Sequence, residues 1–116
     1  MLREYRRSLQ MIEDITPSEY IRRCDSGELW QLLDVRDAWE IAIARIEQTI
    51  DIPMTEISAR FTELDTSRPV AVLCHSGGRS ARVANYLSQC GFDRVANIVG
   101  GIEAWSSDVD ESIPRY

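Results

Sequence analysis

One stretch of the chain carries residue types that reactions need at a spacing that could use them. Val70-Ala71-Val72-Leu73-Cys74-His75-Ser76-Gly77-Gly78-Arg79-Ser80-Ala81-Arg82-Val83-Ala84 brings a cysteine to the end of an apolar run, follows it with a short polar loop and then opens a helical pattern. A loop passing from a strand into a helix start gathers backbone N–H groups around one point, and the unpaired donors of the first turn add positive potential there. Free thiols titrate near about 8.5, and helix N-termini or nearby cations lower that to roughly 3.5–7.5, so a cysteine in this place is expected to ionise at neutral pH. The pattern therefore points to anion-handling thiol chemistry with Cys74 as the nucleophile.

The other loop residues have matching roles. Gly77 and Gly78 allow crowded or left-handed backbone and leave the cup above the sulfur free of side chains. Arg79 offers a fixed charge and a planar donor fork suited to oxyanions, and Ser76 and Ser80 can add hydroxyl donors. His75, the only histidine, sits beside the nucleophile, where it can tune charge or meet an acceptor; a solvent-facing loop position explains it equally well. Taken singly, a Gly-Gly pair reads as a turn, a helix-opening arginine as solvated and a strand-end cysteine as a small buried hydrophobe. In this order they read as one site.

The elements that must hold this loop can be followed along the chain. Thr16-Pro17-Ser18-Glu19 is a capping-box helix start, with Tyr20, Ile21 and Cys24 on one face and Gly27 ending the helix. Trp30 to Val35 reads as a strand, and Asp37 with Glu40 caps a short helix carrying Trp39 and Ile43. Thr49 to Ile52 reads as a short strand, and Pro53 to Glu56 begins a helix with Ile57, Phe61 and Leu64 on its apolar face. The wholly apolar Val70 to Cys74 suits a central strand buried on both faces, as parallel sheets covered by helices require. The next helix runs to Gly91, with Val83, Leu87 and Cys90 facing inward. Arg94 to Val99 supplies a last strand, Gly100-Gly101 a turn, and Ile102 with Trp105 a short helix. Alternating strands and helices with short links indicate an α/β domain with a mainly parallel sheet. Ligands gather at the carboxyl ends of such strands, where Cys74 stands.

Composition narrows the function classes. With 116 residues, 44% hydrophobic and 28% charged, the chain suits one globular domain with its own core. Residues 1–10 read as an N-terminal extension, 11–109 as the domain and 110–116 as a surface-wrapped or frayed tail. No apolar stretch approaches the ~20 residues that cross a bilayer, and Met1 to Gln10 lacks a secretory pattern. The net charge of −6 argues against nucleic acid or an anionic membrane as the main partner. All 13 cationic residues are arginine, which excludes lysine-nucleophile chemistry. Three cysteines without metal-ligand spacing fit a reducing compartment, the cytoplasm, and imply no metal or cofactor.

The Cys74-His75-Ser76-Gly77-Gly78-Arg79-Ser80 loop resembles that of the rhodanese-like family: Cys, four residues, Arg and commonly Ser. Leu32-Leu33-Asp34-Val35-Arg36-Asp37-Ala38-Trp39-Glu40 is similar to the family's Asp-Val-Arg segment, Ile52-Pro53 to the start of its next helix, and Val99-Gly100-Gly101-Ile102-Glu103-Ala104-Trp105 to its closing Gly-Gly segment. The resemblance runs over about residues 11–109. It departs where the family often has Gly-His-Ile-x-Gly-Ala and this chain has Ala44-Arg45-Ile46-Glu47-Gln48-Thr49. The missing glycines are expected to alter a local turn and the surface an acceptor meets, not the chemistry at Cys74.

The resemblance implies a central five-stranded, mainly parallel sheet in order 1-5-4-2-3, flanked by helices on both faces. It implies sulfur transfer: the Cys74 thiolate takes the outer sulfur of thiosulfate, and the persulfide passes it to cyanide, a thiol or a protein acceptor. His75, Ser76, Gly77, Gly78, Arg79 and Ser80 would bind the anion. Arg36 would face the same mouth, although pairing with Glu40 explains it as well. A non-catalytic sulfur carrier or interaction module is the alternative reading. Cysteine phosphatases or arsenate reductases also use a Cys-to-Arg loop, but with five intervening residues where this chain has four. Redox sensing would need a resolving cysteine near Cys74, and Cys24 and Cys90 read as core residues.

Overall fold

The computed structural model describes residues 12–116, so the N-terminal extension assigned to residues 1–10 lies outside the described residues. Five strands, β1 (Glu13–Ile15), β2 (Gln31–Asp34), β3 (Ile50–Asp51), β4 (Val70–Leu73) and β5 (Val95–Ile98), form one sheet in order β1-β5-β4-β2-β3. Every pairing is parallel. The helices are α1 (Pro17–Asp25), α2 (Ala38–Ile43), α3 (Ile57–Arg60), α4 (Gly78–Gln89) and α5 (Gly101–Asp108).

Strand β4 shows why the sheet must be central. Val70, Ala71, Val72 and Leu73 have no exposed surface, because alternate side chains enter two separate cores. Val70, Val72 and Cys74 join Ile57, Val83, Ala84 and Leu87 under α3 and α4, whereas Ala71 and Leu73 join Tyr20, Ile102 and Trp105 under α1 and α5. Ala71 and Ala96 are in register on neighbouring strands, and these small residues lie in the core that holds the bulky rings of Tyr20, Trp30 and Trp105.

Local signals account for several boundaries. The Thr16 side chain accepts from the Glu19 N–H at 3.1 Å, Pro17 opens α1, and Gly27 leaves it at φ +103°. Asp37 and Glu40 close the capping box on α2. In α2, however, Trp39 and Ile43 are exposed and Glu40 is the buried residue. The continuous helix expected after Pro53 is instead a 3₁₀ turn (Met54–Glu56), the single turn α3 and a second 3₁₀ turn (Phe61–Glu63). Its Thr55, Ser58 and Thr62 are indifferent helix formers, and Arg60 leaves helical geometry at φ −125°.

The departure at residues 44–49 costs less geometry than its missing glycines suggest. Gln48, fifth in the stretch where the family has glycine, adopts φ +63°, so this position is left-handed here without a glycine. Residues 110–116 are docked: Ile113 is buried in the α1/α5 core, and its carbonyl accepts from Ser106 Oγ at 2.7 Å.

Candidate active site

Cys74 follows β4 directly and its loop ends in the first turn of α4. The loop closes because Gly77 caps α4 at φ +113°, a conformation that L side chains rarely adopt. A second helix start clamps it from the other side. The N–H groups of Ile102 and Glu103 in α5 donate to the carbonyls of Cys74 and His75 at 2.9 and 3.1 Å. This approach requires Gly101, where a Cβ would run into both carbonyls. Gly78, by contrast, begins α4 with open space where its Cβ would stand, so the backbone does not demand a glycine there.

The sulfur is almost completely buried, with Cys74 only 1% exposed. Gly77 N–H donates to Sγ at 3.1 Å, and Ser80 Oγ lies 3.3 Å from it. In the thiol form S–H donates to Ser80 Oγ, whose own proton goes to Asn97 Oδ1; to donate to the ionised sulfur the hydroxyl turns that one proton away from Asn97. Burial is the strongest influence on the thiol and pushes its pKa up, but the Ser80 hydroxyl and the backbone N–H groups of Ser80, Gly77 and Ser76 together outweigh it. The net direction is downward, toward thiolate. The exposed Ser76 thus contributes through its backbone.

Ser80 is itself held. Its hydroxyl lies 2.5 Å from Asn97 Oδ1 on β5, and Asn97 Nδ2 reaches Asp14 on β1 at 3.5 Å. Sequence reasoning missed Asn97, although a lone polar residue inside Val95-Ala96-Asn97-Ile98 was the available signal.

The two arginines behave differently from expectation. Arg79 is engaged by Glu40 in a two-pronged ion pair, Nη1 and Nη2 each 2.7 Å from a carboxylate oxygen. That pair lowers the Glu40 pKa to about 2 and raises that of Arg79. Two of the five guanidinium donors are taken, and its charge is balanced by Glu40. Arg36, expected at the same mouth, has its donors engaged within the protein. It is wholly buried, and all five of its N–H donors are used by Asp34, the carbonyls of Glu40 and Ala44, and the Tyr116 hydroxyl. Arg36 does meet Glu40, through the Glu40 carbonyl at 3.3 Å, whereas the Glu40 carboxylate accepts from Arg79, the Asp37 N–H and the Tyr116 hydroxyl.

His75 is half-buried and stacks on Tyr116, with centroids 4.3 Å apart. Cys24 and Cys90 are half-buried at the edges of the two cores. Cys90 lies beyond the 12-residue α4, roughly 18 Å along the helix from the loop, and is too distant to resolve a Cys74 disulfide.

Comparison with known proteins agrees with this geometry. The family model for the rhodanese-like domain matches residues 16–108. A protein of Allochromatium vinosum named "Sulfurtransferase" is 36% identical over 96 residues, covering 83% of this chain and 90% of that protein. The "Putative sulfur carrier protein YrkF" of Bacillus subtilis is 32% identical over 99 residues, covering 85% of this chain and 54% of the relative. The chain spans still less, 23%, of two longer Zea mays relatives. The crystal structure of a rhodanese-like domain protein from Staphylococcus aureus superposes with a TM-score of 0.77 at 28% identity, covering 90% of this chain and 99% of that one.

Proposed function

The chain belongs to the rhodanese-like family, and from that premise we propose that it moves sulfane sulfur from thiosulfate, through a persulfide on Cys74, to cyanide or a thiol. In the first half-reaction the Cys74 thiolate attacks the outer sulfur of thiosulfate. A new S–S bond forms, the S–S bond of thiosulfate breaks, and sulfite departs with the electron pair. In the second, an acceptor thiolate or cyanide attacks the outer persulfide sulfur, and Cys74 leaves as thiolate.

The observation that carries this reading is the surroundings of Sγ: the Gly77 N–H donates to it at 3.1 Å, Ser80 Oγ lies 3.3 Å away, and with the backbone of Ser80 and Ser76 these groups favour the thiolate. Donors that favour thiolate make Cys74 a ready nucleophile and a good leaving group at the same atom. They also supply positive potential for an anionic donor without a free cation. The engagement of Arg79 by Glu40 counts against phosphoryl transfer, which needs that guanidinium on the phosphate.

No helix among the described residues is long and apolar enough to cross a membrane. Three free thiols suit a reducing compartment such as the cytoplasm.

Steady-state assay with thiosulfate and cyanide tests the proposal. Thiocyanate and sulfite should form with ping-pong kinetics, and Cys74→Ser should lower the rate by about a thousandfold or more. Turnover of an aryl phosphate at a rate comparable to that of thiosulfate would replace this reading. The sulfur-carrier relative supports a second reading, in which a protein persulfide is the donor. Persulfide formation on Cys74 without thiosulfate turnover would select it.

A further inference from the structure

Residues 110–116 place a side chain beside the site. Ser112 donates through its N–H and hydroxyl to the Asp110 carboxylate at 3.0 and 2.6 Å, forming a turn, and Ile113 anchors the segment in the core. The segment then delivers Tyr116 to the loop. Its ring lies nearly parallel to the His75 imidazole, with 14° between the planes, and Trp39 meets it edge-on with centroids 6.0 Å apart. Its hydroxyl accepts from Arg36 Nη1 at 3.0 Å and donates to Glu40 Oε1 at 2.9 Å. One side chain therefore touches the residue next to the nucleophile and the carboxylate that holds the loop's arginine. The donors on Sγ do not include it.

We propose that Tyr116 is a positioning residue for the sulfur acceptor: it holds His75 flat and keeps Glu40 in its fork with Arg79, presenting a preformed wall to an acceptor thiol carried on an extended organic body. The inference rests on the sulfur transfer proposed above. A diatomic acceptor such as cyanide touches little besides the sulfur and makes little use of such a wall. An organic thiol covers it, and ordering a loose His75 on binding then costs affinity. The step itself is unchanged. The acceptor thiol releases its proton to solvent, its thiolate bonds to the outer sulfur, the bond between the two sulfurs of the Cys74 persulfide breaks, and the electron pair returns to Cys74.

The test compares wild type with Tyr116→Ala and Tyr116→Phe in the full chain, at saturating thiosulfate, using glutathione and cyanide as the two acceptors. Tyr116→Ala is expected to raise the KM for glutathione about three- to tenfold relative to the KM for cyanide, with kcat changing less than KM. Tyr116→Phe, which keeps the stacking ring, should recover most of that loss. Should Tyr116→Ala fail to fold, Tyr116→Leu retains an apolar anchor without a stacking face and is expected to give the same split. Equal changes for both acceptors, or none for either, would overturn the inference while leaving sulfur transfer standing. Wild-type protein that passes sulfur to neither acceptor would overturn both.

Discussion

Cys74 and Arg36 leave the carboxyl ends of neighbouring parallel strands, β4 and β2, and both are buried, yet they differ in what remains for a ligand. Arg36 has spent all five donors on Asp34, two carbonyls and Tyr116. Its charge ties the end of β2 to the end of α2, where backbone carbonyls welcome a cation. Cys74 is surrounded by donors that favour a charge it does not carry as a thiol, and that charge, once formed, attacks. A full cation in this fold can thus be scaffold while a neutral thiol is the reactive group. Hydrogen bonds left over, rather than formal charge, separate the two.

The largest effect should come from breaking the scaffold side. Arg36→Met leaves Asp34 buried without its partner and is expected to cost about 3–5 kcal/mol in denaturant unfolding. In the folded fraction, persulfide loading of Cys74 should persist. A weakened KM for thiosulfate at unchanged stability would mean that Arg36 is a ligand after all.

On the reactive side, Ser80→Ala removes the strongest hydrogen bond that favours the thiolate. Hydrogen bonds to charged groups are worth roughly 1.5–3 kcal/mol, so the midpoint of the pH–rate profile for alkylation by iodoacetamide should rise by about 1–2 pH units. An unmoved profile would assign the acidity to the backbone donors alone. Asn97→Ala should move the profile the opposite way by less, because the single Ser80 proton that Asn97 Oδ1 accepts is then free to point at sulfur.

The smallest effect concerns Glu40, which bridges the two regions through Arg79 and Tyr116. Its folded pKa, about 2, lies below the unfolded value near 4.3, so the pair's stabilisation is fully present above about pH 4.3 and is lost as pH falls toward 2. Urea midpoints measured across that window should fall more steeply for wild type than for Glu40→Gln. Arg79 is about one-third exposed, so added salt should shrink the difference. Parallel slopes would show that the fork contributes nothing.

The parts legible in the sequence share one property: their signals are local. Thr16 with Glu19 capped α1, the unbroken apolar run of residues 70–73 gave a strand buried on both faces, and the glycine at 77 matched a left-handed cap. Some of the contacts that occupy the arginines are not local. Arg79 meets Glu40 across 39 positions, and Arg36 meets Tyr116 across 80. Arg36 finds its other partners, Asp34 and the carbonyls of Glu40 and Ala44, within eight positions, but carbonyl acceptors carry no side-chain signal, so the residue reads either as a ligand or as a partner of Glu40, and residues 110–116 as surface-wrapped or frayed. In the short α2, Glu40 is buried in its capping box and its fork with Arg79, while Trp39 lies exposed despite its apolar ring.

Intact mass measured without reductant tests the central claim most directly. Wild type and Cys74→Ser would each be incubated with thiosulfate or, separately, with a low-molecular-weight persulfide, and then with cyanide. The account predicts a gain of one sulfur atom on wild type alone, removed by cyanide as thiocyanate. An equal gain on Cys74→Ser, or no gain on wild type from either donor, would contradict it.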